Sequence, residues 1–233
     1  MSILMKYVGN EVKELIDKFY EKSKDELDNN IQDRIGYINI YHNKWDVSDH
    51  PELIFLLDKM SSFLNIERNR ILTINFLISK PNCKNQHYHI DYEGNTETFF
   101  IPLCELNDMN GTEIVQFNNI HDNIKHLHTL LEISNTCYNK SNLIEKLNQN
   151  NIQPNMYNIM YVNCNAYSLI KIHNYLLHRG RTNDTNMDRV MFSIVIKHSN
   201  DYNLTSDKIV ADAELDEHMD IKMNIIKNRN NMI

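Results

Sequence analysis

The chain has few of the residues that break or staple a fold. Its 233 residues include five glycines, four prolines and four cysteines. No Pro-, Gly- or Ser-rich stretch marks a linker. The whole of residues 1–233 therefore reads as one domain, a size that sheet-based barrels often reach undivided. Cys83, Cys104, Cys137 and Cys164 lie far apart, with no CxxC spacing. That pattern reads as reduced, intracellular thiols rather than a disulfide framework. No apolar run approaches membrane-spanning length, and the opening MSILMKYVGNEVKEL lacks the apolar core of a signal peptide. A soluble intracellular protein is the expectation. Basic charge is also scarce: 24 Lys and Arg stand against 31 Asp and Glu, a formal net charge of −7. Non-specific nucleic-acid binding needs phosphates to be neutralised, so this balance argues against it. A small molecule or a protein is the expected substrate class.

Periodicity supplies the outline. Val12, Leu15, Ile16, Phe19 and Tyr20 recur at helical spacing and predict an amphipathic helix over about 10–27. Ser48-Asp49-His50-Pro51 is a helix start signal, with the helix continuing through ELIFLLDKMSSFL to about Leu64. Strand-like runs follow at Ile71–Ser79, Thr96–Leu103 and Glu113–Phe117. They resume at Met156–Val162, Tyr167–His173 and Val190–Lys197. Between about 119 and 152, Ile124, Leu127, Leu131, Leu143 and Leu147 stand at helical spacing, which predicts a helical insertion. A further helix is expected over about 206–229. Strands bounded by helices make an α+β arrangement, with flanking helices over about 1–66 and a barrel core over about 70–198.

Three short stretches point to metal chemistry. His89-Ile90-Asp91 stands within QHYHIDYEGNTETFFIPL, where polar and apolar residues alternate before an apolar run. Residues two apart in a strand share a face, so His89 and Asp91 could grip one ion. His178 supplies a second imidazole, completing the two-histidine, one-carboxylate facial set that suits non-haem Fe(II). Arg189, eleven residues after His178, opens the run RVMFSIVI and offers a fork for a carboxylate.

These stretches resemble the Fe(II)- and 2-oxoglutarate-dependent dioxygenase superfamily, and most closely its phytanoyl-CoA dioxygenase-like branch. HYHIDYEGNTETFFIPLCELNDMNGTEIVQF is similar to that branch's HxD strand, apolar strand and Asn-Gly turn. AYSLIKIHNYLLHRGRTNDTNMDRVMFSIVI is similar to its second signature, in which His-x-Gly is followed by Asn and Arg. The Gly-Ser-His tripeptide often found after the Asn-Gly strand is replaced here by NNIHDNIKHLH. The resemblance implies a double-stranded β-helix, a jelly-roll or cupin-like barrel. It also implies Fe(II), 2-oxoglutarate and O2 as cofactor and co-substrates. His89, Asp91 and His178 would bind the metal, and Arg189 the distal carboxylate. Hydroxylation of a C–H bond with release of succinate and carbon dioxide is the implied reaction. The presence of Asp91 favours hydroxylation, because related halogenases lack that carboxylate.

Other residues are candidates by position. Ser193 shares a strand face with Arg189 and is a candidate co-substrate contact, as are Thr73 and Asn75, which share a face of the strand before the metal loop. Gln86 and Tyr88 are candidates for the site entrance, and Arg179 and Arg181 for contact with an anionic substrate. His126 and His128 read as surface residues. A competing assignment uses the same stretch: His87, His89 and Glu93 match the HxHxxxE ligand spacing of cupins, whose metal chemistry needs neither Arg189 nor 2-oxoglutarate. The glycines expected on both sides of that cupin motif are absent. A non-catalytic barrel acting in binding is the third reading, since fold alone does not establish activity.

Overall fold

A computed structural model of the chain describes residues 5–24, 35–43, 46–90, 96–119, 122, 125–173 and 176–197. Among the described residues nine strands form two sheets, and every described pairing is antiparallel. The strands are β1 (Met5–Tyr7), β2 (Ile35–His42), β3 (Ile71–Ser79), β4 (Thr96–Pro102), β5 (Thr112–Phe117), β6 (Tyr157–Val162), β7 (Ser168–His173), β8 (His178–Gly180) and β9 (Arg189–Lys197). The larger sheet has the order β1-β7-β4-β9-β3-β2, the smaller β6-β5-β8. The chain changes sheet between β4 and β5, β6 and β7, β7 and β8, and β8 and β9. Such alternation makes the double-stranded β-helix that the sequence motifs imply.

Four helices cover the sheets: α1 (Asn10–Ser23), α2 (Pro51–Leu64), α3 (Leu127–Ile133) and α4 (Lys140–Gln149). α1 starts after Gly9, whose φ of 82° is a conformation that only glycine adopts without strain. It buries Val12, Ile16 and Phe19 on one stripe. α2 has Pro51 in its first turn, where a missing N–H costs nothing. It ends at Asn65 in the left-handed region, with Ile66 N–H donating back to Ser61 O at 2.9 Å. α4 is capped by the Asn139 side chain, which accepts from Asn142 N–H at 2.8 Å. The helix expected over 206–229 lies outside the described residues.

The period-2 pattern of the central strands divides the apolar mass. In β3, Ile74, Phe76 and Ile78 face α1 and α2, as do Val190, Phe192, Ile194 and Ile196 of β9. Tyr20, Phe76 and Phe192 form an edge-to-face chain with centroids 5.3 and 5.2 Å apart. A second layer packs α3 and α4 on the outer face of the small sheet, through Val115, Phe117, Leu127, Leu130, Leu143 and Leu147. The sheets meet face to face through Phe100, Ile170, Ile172 and Met191 on one side and Ile114 and Val162 on the other.

Within the described residues, the helices expected before Leu64 and in the insertion and the six expected strands are present, with ends shifted by a few residues at most. β1, β2 and β8 are additional to the expected strands: β1 and β8 have three residues each, too few to show a period, while β2, IGYINIYH, is rich in the Ile and Tyr that favour strands. His126 departs from a surface placement: its ring stacks on Phe117 with centroids 5.9 Å apart, and its Nε2 is buried. His128 is exposed beside Glu132. None of the described helices is long and apolar enough to cross a membrane.

Phe192 is fully buried at the middle of the larger sheet, between β4 and β3. Phe192→Ala should therefore lower unfolding free energy by about 3–5 kcal/mol, measured as a shift in the urea midpoint at unchanged slope.

Candidate metal and carboxylate site

The face between the sheets is read directly from strand register, because residues paired across an antiparallel ladder point to the same side. On the larger sheet, Thr73, Asn75, Leu77 and Ser79 of β3 stand opposite Val195, Ser193, Met191 and Arg189 of β9. This set alternates with the residues that face the helices, so it faces the small sheet. On the small sheet, Ile114 pairs with His178 and Thr112 with Gly180. Ile114 belongs to the cluster between the sheets, which places His178 on that inner face.

His89 and His178 are brought together by an isolated antiparallel bridge. His89 N–H donates to His178 O at 2.8 Å, and His178 N–H donates to His89 O at 2.9 Å. The imidazole centroids are 4.5 Å apart. Each ring is oriented by its own backbone: Nδ1 of His89 lies 2.8 Å from His87 O, and Nδ1 of His178 lies 2.9 Å from Leu176 O. A carbonyl oxygen can only accept, so in the neutral rings Nδ1 carries the proton and the lone pair is on Nε2. Two neutral imidazoles with fixed tautomers and adjacent rings are suited to binding one metal ion. His89 sits in this bridge rather than in a regular strand. Asp91, expected to be the third ligand, and Glu93 both lie outside the described residues. No group of three or more His, Cys, Asp or Glu suited to a metal occurs among the described residues.

Arg189 is buried, with 4% of its surface exposed. Nη1 donates to Asn110 O at 2.5 Å, and more weakly to Arg181 O at 3.3 Å and Gly111 O at 3.4 Å. Nη2 donates to Ser79 Oγ at 2.7 Å, and Nε is buried without a partner among the described residues. All these partners are neutral oxygens. Burial pulls the guanidinium below its usual pKa, and no carboxylate among its described partners offsets this. The Nε–Nη2 edge carries three N–H bonds, of which Ser79 takes one. Nε is thus a buried donor with no described acceptor, on the edge it shares with Nη2.

Gly180 joins the two halves of the site. It lies two residues beyond His178 on the same face, about 7 Å along the strand. A Cβ there would come 2.7 Å from Gln86 Oε1 and 3.0 Å from Arg189 Nη2. Gln86 itself is tied to this position: its N–H donates to Gly180 O at 2.9 Å and its Oε1 accepts from Gly180 N–H at 2.7 Å. A Cβ at Gly180 would therefore push aside the end of the Gln86 or Arg189 side chain, and Gln86 belongs beside Arg189.

Several candidates stand elsewhere. Tyr88 is fully buried against α3 and α4, on the opposite side from His89, and is not at an entrance. Arg179 is buried in an ion pair with Glu113 on that outer face, at 2.5 Å, and is not presented to a substrate. Arg181 stacks over the Tyr161 ring at 4.7 Å and donates to Asp108 O. Alternation explains Tyr88 and Arg179, since neighbours of inward-facing residues point outward, whereas Arg181 lies beyond the end of β8. The ring of His87 lies on Tyr138, with centroids 3.3 Å apart, whereas that of His89 lies on His178. The two imidazoles needed by the cupin assignment thus have different neighbours.

The sequence motifs did not single out the residues that seat Arg189. Ser79 ends β3 directly opposite Arg189, and the Asn110-Gly111 turn supplies carbonyls. Asn183, fully buried, donates to Ser79 O at 2.9 Å and Met187 O at 2.7 Å and so ties the β8–β9 loop to β3. The available signal was the Asn-Gly pair and the Asn six residues before Arg189.

No family model matches the chain, and no curated protein matches it. Solved structures do. SnoK, a non-haem alpha-ketoglutarate-dependent carbocyclase from nogalamycin biosynthesis, superposes with a TM-score of 0.51 at 17% identity, covering 80% of this chain and 74% of SnoK. HygX from Streptomyces hygroscopicus, solved with iron bound, gives a TM-score of 0.49 at 12% identity over 85% of this chain and 82% of HygX. The likeness to SnoK establishes that the two share a fold.

The close approach at Gly180 has a measurable consequence. Gly180→Ala should fold but displace Gln86 or the Arg189 edge, weakening binding of a dicarboxylate to Mn(II)-loaded protein. Losing one hydrogen bond to a charged group corresponds to on the order of tenfold or more in affinity, read by calorimetry.

Proposed function

We propose that this protein is an Fe(II)- and 2-oxoglutarate-dependent oxygenase that hydroxylates a C–H bond of a small-molecule or protein substrate. The observation that carries this reading is the placement, on the facing inner walls of the two sheets, of two tautomer-fixed imidazoles and a buried guanidinium whose described partners include no carboxylate. A cupin metal site has no use for that guanidinium, and a non-catalytic barrel has no use for either. The shared fold with SnoK, itself alpha-ketoglutarate-dependent, supports the same class. The resemblance to the phytanoyl-CoA dioxygenase-like branch extends the proposal, through the eleven-residue step from His178 to Arg189.

The residues present fit the implied groups. His89 and His178 would hold Fe(II) through Nε2, with Asp91 as the third ligand. Arg189 would hold the distal carboxylate of 2-oxoglutarate through its Nε–Nη2 edge, with Ser79 fixing that edge. When bound, iron and 2-oxoglutarate supply the oxidative chemistry, in which O2 is consumed, the substrate gains a hydroxyl group, and succinate and carbon dioxide are released. The protein supplies orientation and exclusion of water. Ile114, Leu176 and Phe100 form an apolar surround between the sheets, which strengthens the guanidinium–carboxylate attraction. Ser193, Asn75 and Thr73 extend the polar face of the larger sheet beyond Arg189.

Anaerobic addition of Fe(II) and 2-oxoglutarate should produce a visible metal-to-ligand charge-transfer band; its absence from folded protein would refute the proposal. His89→Ala, Asp91→Ala and His178→Ala should each abolish substrate-dependent succinate formation, whereas His87→Ala should keep iron binding and turnover. Loss of iron in His87→Ala with retention in Asp91→Ala would favour the cupin assignment instead.

Arg189 gives an independent test. Arg189→Met should preserve Mn(II) affinity and weaken 2-oxoglutarate binding by on the order of 30-fold to several-thousand-fold, since truncating one side of a buried charge pair costs about 2–5 kcal/mol. Arg189→Lys should recover only part, because an ammonium keeps the charge and loses the fork. Unchanged calorimetric affinity in folded Arg189→Met would remove this residue from the site.

A further inference from the structure

We infer that a buried Tyr88–Glu113–Arg179 clamp, on the outer face of the small sheet, sets the spacing of the His89 and His178 imidazoles, an inference that rests on the proposed metal site. The clamp residues are sequence neighbours of the site. Tyr88 precedes His89, Arg179 follows His178, and Glu113 precedes Ile114, the residue paired with His178. Backbone alternation sends the clamp outward and the imidazoles inward from the same three segments.

The clamp is closed and almost dry. Tyr88, Glu113 and Arg179 expose 0%, 1% and 6% of their surfaces. Tyr88 OH donates to Glu113 Oε2 at 2.7 Å, and Arg179 Nε donates to the same oxygen at 2.5 Å. The guanidinium lies 4.3 Å from the Tyr88 ring centroid, and its Nη1 donates to Tyr138 O at 2.5 Å. One carboxylate oxygen thus ties the metal-loop segment to β8 while Glu113 anchors both to β5.

These ties matter because regular pairing at this point is sparse. β8 has three residues, and His89 is held by an isolated bridge. Residues 83–88 run outside any strand. A lateral slip of the loop would change the distance between the two Nε2 atoms, and the backbone bonds from Gln86 N–H to Gly180 O and from Tyr88 N–H to Cys137 O are further ties against it. The charge-assisted bonds to Glu113 resist it at the two residues adjoining the ligands. Tyr88 and Arg179 are therefore positioning residues that act on the metal through the backbone.

The test uses Co(II) alone, titrated anaerobically into the full chain and read by its visible d–d bands, which report coordination geometry. Glu113→Gln keeps the shape but removes the charge, and should weaken Co(II) binding about tenfold or more and alter the bands, as changes outside the ligand set commonly do. Tyr88→Phe should weaken binding less. Adding it to Glu113→Gln should have little further effect, because the hydroxyl acts through that carboxylate. Arg179→Lys should restore part of what Arg179→Met loses. Lys171→Met, which breaks the Lys171–Glu97 pair on the larger sheet, is the control. It should lower the melting temperature and leave Co(II) affinity unchanged. Wild-type affinity and spectrum in folded Glu113→Gln overturn the inference while the metal site stands. Should Glu113→Gln not fold, wild-type behaviour in Tyr88→Phe overturns it equally. An equal loss of affinity in Lys171→Met also overturns it, by showing a general effect of destabilisation. Absence of Co(II) binding by the wild-type protein removes the metal site itself, and the clamp's role with it.

Discussion

The backbones of His89 and His178 exchange two hydrogen bonds, and the geometry of the site depends on that exchange. In an antiparallel ladder, residues that bond each other directly also share a face. The same two bonds that attach the loop to β8 therefore bring the imidazoles together, 4.5 Å between centroids. Each ring is then turned by a carbonyl two residues upstream, His87 O for one and Leu176 O for the other. Both orienting groups belong to backbone that the bridge itself holds. Ligand spacing, ring orientation and tautomer are consequences of one local pairing, which makes the few contacts supporting it disproportionately important.

Arg189 poses the opposite physical problem. A guanidinium taken out of water loses hydration that neutral carbonyls only partly replace, and its buried Nε has no described partner. The strand that carries it is the best supported in the larger sheet, paired along its length by β3 and β4. A rigid strand holds the charge where relaxation toward solvent is blocked. In the proposed site, a carboxylate would meet a desolvated, preformed partner that it need not order.

How far the sequence revealed this arrangement follows from which residues speak for themselves. The long strands and amphipathic helices carry enough apolar residues at regular spacing to be read alone, and Ile71–Ser79 agrees with β3 at both ends. His178 and Arg189 were readable as a pair because each stands beside a strand-like run. β8 was not, since His-Arg-Gly has no apolar pattern and becomes a strand only by pairing with β5 and the metal loop. Tyr88 and Arg179 stand away from the two imidazoles for one reason: alternation sends the immediate neighbours of inward-facing residues outward. Gly180, Ser79 and Asn183 were invisible as site residues because their roles arise from contacts with segments distant in sequence.

The division of the apolar mass explains how the fold accommodates a polar interior. The larger hydrophobic layers lie outside the barrel, between the big sheet and α1 and α2, and between the small sheet and α3 and α4. The cluster between the sheets is smaller, and one of its walls carries Thr73, Asn75, Ser79, Arg189 and Ser193. Along the β3–β9 pair most of the apolar residues turn toward the helices and the polar ones toward the barrel axis, while β4 and β7 supply Phe100, Ile170 and Ile172 to the interior. Burial of about 25 cal/mol per Å² accrues wherever apolar area leaves water, so helix-covered outer faces serve stability as well as a central core would. The region between the sheets is thereby relieved of the main stabilising role. It can hold histidines, a desolvated charge and their hydrogen-bonding carbonyls, because the layers that keep the sheets folded are elsewhere.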